Sequence, residues 1–162
     1  MVRLNRSGAW WWLIAATLLS PLWLHAADSS APYPGTTTLK TKHGFDALVG
    51  RVEKAVAANK MGLVAQASAS RGAATRGVKI AGNMVLMVFR NDYAVRMLQA
   101  SVPAGIEAPI RLYVTENADG SASLTYRQPS AVFAPYGNRK LDEMAKELDV
   151  IFRTIVRDAT GS

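Results

Sequence analysis

The residues best placed to do chemistry stand where one apolar run stops. MVLMVF (84–89) runs straight into Arg90, Asn91 and Asp92. An arginine at the end of a buried strand, followed at once by a helix, can add its charge to the partly positive N–H groups of that helix and hold an anion. Arg111, at the start of a later strand, and Arg71 and Arg76, in a glycine-rich loop, are candidates to converge on the same point. Tyr93 and Tyr126 are candidate walls. Asn91 or Asp92 can equally serve as a helix cap, because either side chain accepts from first-turn N–H groups. Strand end plus cap therefore competes with an anion or polar-ligand site made of Arg90, Asn91, Arg111, Arg76, Tyr93 and Tyr126.

Other chemistries find less material. His43 is the one histidine after residue 27, and the chain has no cysteine. That pair of facts argues against a transition-metal site, thiolate catalysis and disulfides. Met84 and Met87 could suggest copper, but three residues along a strand point to opposite faces, so core packing is expected. There is no G-x-S-x-G elbow, and Gly72, Gly77 and Gly82 lack phosphate-loop spacing. Acid–base work would fall to Asp92, Glu107, Glu116 or Asp119. Asp142, Glu143, Glu147 and Asp149 lie off an apolar helix stripe and read as its solvated face. No cofactor is expected.

The elements that must position these residues follow from periodicity. Thr36 to Lys42 alternates and predicts a first strand. Phe45, Leu48, Val49, Val52 and Val56 recur at helical spacing, and Gly62 stops that helix. Leu63 to Ala69 predicts a second strand, 70–82 a loop with room for a short helical turn, and 83–89 a third strand. On that strand Met84, Leu86, Val88 and Arg90 share one face and Val85, Met87 and Phe89 the other; both are apolar, so a strand covered on both sides is expected. A helix follows to about Ala100, ended by Pro103 and Gly105. Ile110 to Glu116 and Ser121 to Arg127 form a hairpin turned by Asp119-Gly120. Gln128 to Asn138 reads as a loop. Leu141, Met144, Leu148, Ile151, Phe152 and Ile155 stripe a last helix to about Asp158. The expected fold is α+β: a two-layer sandwich with a mainly antiparallel five-stranded sheet, helices on one face, in the order β-α-β-β-α-β-β-α.

The first 27 residues are set apart. Arg3 and Arg6 precede the apolar run AWWWLIAATLLSPLWL, and His25-Ala26-Ala27 ends it. This is the layout of a secretory signal, and Ser20-Pro21 breaks a run already short for a membrane span. The expectation is a Sec-type signal peptide over 1–27, a linker over 28–35, one domain over 36–160, periplasmic residence and no membrane anchor after cleavage. Losing the leader lowers the formal charge from +7 to about +5. Lys54 to Arg90 holds six basic residues and no acid. Such a run is either a solvated face or an anion-binding surface. Nucleic acid is not expected, because no aromatic residue interleaves Arg71 to Lys79.

A set of residues also resembles a known family. Phe45 and Leu48 open the first helix and Gly62 closes it. Ala74-Thr75-Arg76-Gly77-Val78 follows, then Phe89 and Asn91, Pro103, Ala108-Pro109-Ile110-Arg111, Asp119-Gly120, Tyr126 and Pro129. Together these resemble the domain of unknown function 302 family, small bacterial domains with an α+β fold, from about Thr41 to Arg157. Arg90-Asn91-Asp92 stands where that family tends to have a glycine-asparagine-proline turn, and Ala69-Ser70-Arg71 stands where its members often carry a histidine. The resemblance implies the fold and a homodimer; it implies no activity. The function expected is a non-catalytic module for a small anionic or polar ligand. The alternatives are a metal-independent enzyme using acid–base residues in a cleft, and a structural or partner-binding homodimer.

Overall fold

The computed structural model describes residues 33–161; the leader and residues 28–32 of the linker lie outside the described residues. The strands are β1 (Thr36–Lys40), β2 (Gly62–Ala67), β3 (Asn83–Phe89), β4 (Ile110–Glu116) and β5 (Ala122–Arg127). They form one sheet in the order β1-β5-β4-β3-β2, and every neighbouring pair is antiparallel. The five-stranded α+β expectation holds.

The helices are α1 (Phe45–Ala58), α2 (Ala69–Ala74), α3 (Asn91–Ala100), α4 (Pro129–Phe133) and α5 (Arg139–Thr160), with 3-10 turns at Val102–Glu107 and Ala134–Tyr136. β1 and β2 point the same way yet occupy opposite edges, with three strands between them. The connection must cross a sheet about 19 Å wide, four spacings of about 4.8 Å. A helix of 14 residues spans about 21 Å, and α1 makes this crossing. It buries Leu48, Val49, Val52, Ala55 and Val56 against the sheet and α5.

α5 is the longest element because its apolar stripe is the longest: Leu141, Met144, Ala145, Leu148, Phe152, Ile155, Val156 and Ala159 are all buried. Asn138 caps it, its side chain accepting from the Lys140 and Leu141 amides at 3.0 and 3.2 Å. At the far end Gly161 closes it in the left-handed conformation, and Arg51 of α1 donates to the Ala159 and Asp158 carbonyls. The core thus lies between one sheet face and one layer of helices.

Three expectations change. Two short helices, α2 and α4, occupy stretches read as loops. α2 forms because Ser68 caps it through the Arg71 amide. α4 forms because Pro129 starts it and Asp149 of α5 accepts from the Ser130 amide at 2.9 Å. Asn91 and Asp92 are not the cap of α3. That position is Arg90, with extended backbone and no side-chain cap, while the Asp92 carboxylate is drawn back onto Arg90. Arg90 holds both carboxylate oxygens, each through a charge-assisted bond. Finally, β3 is fully covered on one face only. Met84, Leu86 and Val88 are buried, whereas Val85, Met87 and Phe89, on the opposite sheet face, are only half-buried. Met84 and Met87 do point apart.

Candidate functional site

The helix-side end of β3 opens into an apolar cleft. Its walls come from β3 (Val88, Phe89), α3 (Ala94, Met97), α4 (Phe133) and α5 (Met144, Leu148), with Met61, Ala108 and Ile110 closing the sides. The cavity volume is about 30 Å³. Since one water needs about 10–15 Å³ by such a measure, this is room for two or three methyl-sized groups. Met61, Met97 and Met144 line it, and methionine adapts its shape more readily than any other apolar residue.

Arg90 and Tyr93 form the mouth. The Arg90 guanidinium lies over the Tyr93 ring, 4.4 Å from its centroid. Arg90 donates to both Asp92 oxygens, from Nε at 2.7 Å and Nη2 at 3.0 Å. That pair raises Arg90 and holds the Asp92 carboxyl below its ordinary value. The Tyr93 hydroxyl donates to Glu147 at 3.3 Å, and Arg96 clamps Glu147 with two bonds of 2.7 Å. Arg96 therefore holds Glu147 low, while burial pushes the Tyr93 hydroxyl up.

The chain Asp92–Arg90–Tyr93–Glu147–Arg96 thus ties α3 to α5 across the cleft. Its carboxylates titrate below their ordinary values of 3.8 and 4.5. Their contribution to stability is complete above those values and fades as pH falls through the lowered ones. A general acid or base for neutral pH needs the opposite tuning. Glu147 is shifted away from the neutral range, and so is Tyr93.

Of the residues expected to converge, Arg90 and Tyr93 come together at this mouth. Asn91 follows Arg90 in the chain and is exposed, but does not line the cleft. The others do not. Arg111 points to the opposite sheet face, being exposed between buried Ile110 and Leu112. Arg76 follows α2, which is pinned to Asn83 at the far end of β3, about 20 Å of strand away. Arg71 leaves in the same direction, reaching Asp46 at 3.7 Å. Tyr126 sits under α5 near Arg153 and Asp149, and burial raises its hydroxyl. The sequence reading missed Arg96, Glu147, Met61, Met97 and Phe133. Arg96 and Glu147 are 51 residues apart and gave no local signal.

The chain was then compared with known proteins. The family model described as "Domain of unknown function DUF302" matches residues 37–159. A crystal structure of a conserved DUF302 protein from Bacillus stearothermophilus is similar, with a TM-score of 0.70 at 17% identity, over 78% of this chain and 98% of that one. At that identity the likeness speaks for the fold. No curated protein matches the chain.

Proposed function

Because the chain belongs to the DUF302 family, whose name assigns no activity, we propose a function from the cleft itself: a non-catalytic binding module for a small molecule with a slim apolar chain and an anionic or polar head. The observation that carries this reading is an apolar, methionine-lined cleft with an arginine stacked at its mouth. Asp92 engages Nε and Nη2 of Arg90, which leaves Nη1 for a ligand head beside the exposed Asn91. The narrow bore favours an alkyl chain over a ring. The same proposal places the module in the periplasm, delivered by the leader over 1–27.

Methionine methyl NMR tests it. Butanoate, whose chain beyond the carboxylate is three carbons long, is the probe, added to protein recovered from the periplasmic fraction. The Met61, Met97 and Met144 methyls are expected to shift together, with Met87, on the opposite sheet face, unmoved. Ala94→Phe, which fills the cleft, should abolish the shifts. Arg90→Ala should weaken binding about 10- to 100-fold, the worth of one charged hydrogen bond of about 1.5–3 kcal/mol. Shifts centred on Met87, or indifference to Ala94→Phe, would sink the cleft reading. Export has its own check in the same sample. All four tryptophans, Trp10, Trp11, Trp12 and Trp23, precede Ala27, so matured protein should emit as tyrosine alone. Tryptophan emission would mean the leader was retained.

A second reading concerns association. Val85, Met87 and Tyr113 form an apolar patch on the opposite sheet face, with Tyr113 39% exposed. A homodimer through this face accounts for it. The face measures about 20 by 20 Å, or roughly 400 Å². That is about half of the ~800 Å² per partner typical of stable complexes. The dimer is therefore expected to dissociate on dilution in the micromolar range, seen by sedimentation equilibrium, and Met87→Lys should make the protein monomeric. A monomer at every concentration would end this reading.

A further inference from the structure

We propose that Arg111 and Arg127 form a binding site for a small carboxylate beside the cleft, at the same end of the sheet. The register that sets Leu112 of β4 against Tyr126 of β5 sets Arg111 against Arg127. Both leave the core face, because the buried residues around them are Ile110, Leu112, Leu124 and Tyr126. Like charges directly opposite on paired strands repel and cost stability. The sequence nevertheless puts two arginines there, and neither has an acidic partner among the described residues.

Arg127 is underused in a second way. Its Nε is buried and, among the described residues, has no hydrogen-bond partner. Among the described residues its one hydrogen bond is a long one, Nη2 to the Ala131 carbonyl at 3.4 Å, and its guanidinium is 5.2 Å from the centre of the Tyr33 ring. A buried N–H of a charged group left unpaired is expensive, and an incoming oxygen relieves it. Arg111 and Arg127 line a common cavity of about 60 Å³ with Glu107, Ile110 and Val132. That volume suits a carboxylate or a few waters and excludes anything large.

The ligand's charge follows from Glu107. This acid shares the cavity but forms no ion pair with either arginine, and the Tyr136 hydroxyl donates to it at 3.1 Å. Two guanidinium groups facing one carboxylate leave a local excess of one positive charge. A monoanion balances it; a phosphate dianion would overshoot and be repelled by Glu107. The planar, forked guanidinium also matches a carboxylate's two oxygens. Ile110 is a wall of both cavities, and they share no other lining residue.

The test follows the arginine side-chain Nε–H resonances by ¹⁵N NMR during titration of the full chain's purified product with acetate at pH 7. The Arg127 resonance is expected to move along a saturable curve, and Arg111→Gln, a substitution at an exposed position, should weaken that binding at least about tenfold. Chloride at equal ionic strength should not reproduce the shift. Four results would overturn the proposal: a shift that never saturates, one that chloride reproduces, one unchanged by Arg111→Gln, or tighter binding of phosphate than of acetate. The cleft methionines report separately, so loss of one site is distinguishable from loss of the other.

Discussion

Phe133→Ala is expected to lower the free energy of unfolding by about 3–5 kcal/mol. Phe133 is 1% exposed and is among the largest side chains fully inside the molecule. It sits on α4, a helix of 5 residues that cannot persist on its own propensity. What holds α4 is packing: the Phe133 ring in the core, Val132 beside it, and Asp149 of α5 at the Ser130 amide. Removing the ring takes away both its transfer energy and the contacts of the cavity it leaves. Since domains of this size are stable by about 5–15 kcal/mol, a large part of the total is at stake. Urea unfolding measures the loss. Phe133→Leu should cost less, because it keeps most of the volume.

The same substitution touches the cleft, where Phe133 is a wall. If the native state survives, the vacated volume adjoins the bore, and alkyl carboxylates longer or more branched than butanoate should enter. Stability and ligand size would then move in opposite directions from one side chain. A cost below about 1 kcal/mol would show that α4 is an ornament of the fold rather than part of its core, because buried-phenylalanine truncations do not come that cheap.

How far the sequence revealed this depends on the range of the signal. β3, the β4–β5 hairpin and α5 were legible because each is fixed by its own residues: an apolar run, Asp119-Gly120 in a turn, and a stripe from Leu141 to Ile155. α4 was hidden by breakers. Pro129, Pro135 and Gly137 read as loop, although a proline at a first helical position is itself a start signal. At the site, Arg90 and Tyr93 were legible together because they are neighbours in the chain. Arg111 was grouped with them against a signal already present. Arg90 keeps the phase of Met84, Leu86 and Val88, whereas Arg111 alternates with Ile110 and Leu112, so face parity alone separates the two arginines. The clamp of Arg96 on Glu147 was out of reach, since it exists only once α3 lies beside α5. So was the Arg111–Arg127 pairing, which needs the hairpin register.

Gly35→Ala is the second substitution with a large expected effect, and it acts where β1 begins, against the same α4. Gly35 has φ +73°, where a side chain costs about 1–2 kcal/mol. An added Cβ would also stand 2.2 Å from the Cβ of Ala131 on α4, too close for any carbon pair. Neither atom is the end of a flexible chain, so backbone must move, at about 1–3 kcal/mol. The movement falls on a working contact: the Gly35 carbonyl accepts from the Gln128 amide at 2.8 Å, tying the start of β1 to the end of β5. The total loss is expected to be about 2–5 kcal/mol, with faster hydrogen exchange in β1 than in β3. The two causes can be separated with Ala131→Gly, which removes the collision and leaves the backbone strain. In the double variant the steric share should return as a favourable coupling of about 1–3 kcal/mol, while the share due to φ persists. Strict additivity of the two substitutions would mean that Gly35 and Ala131 do not meet, and that the approach of β1 to α4 is looser than the 2.2 Å separation requires.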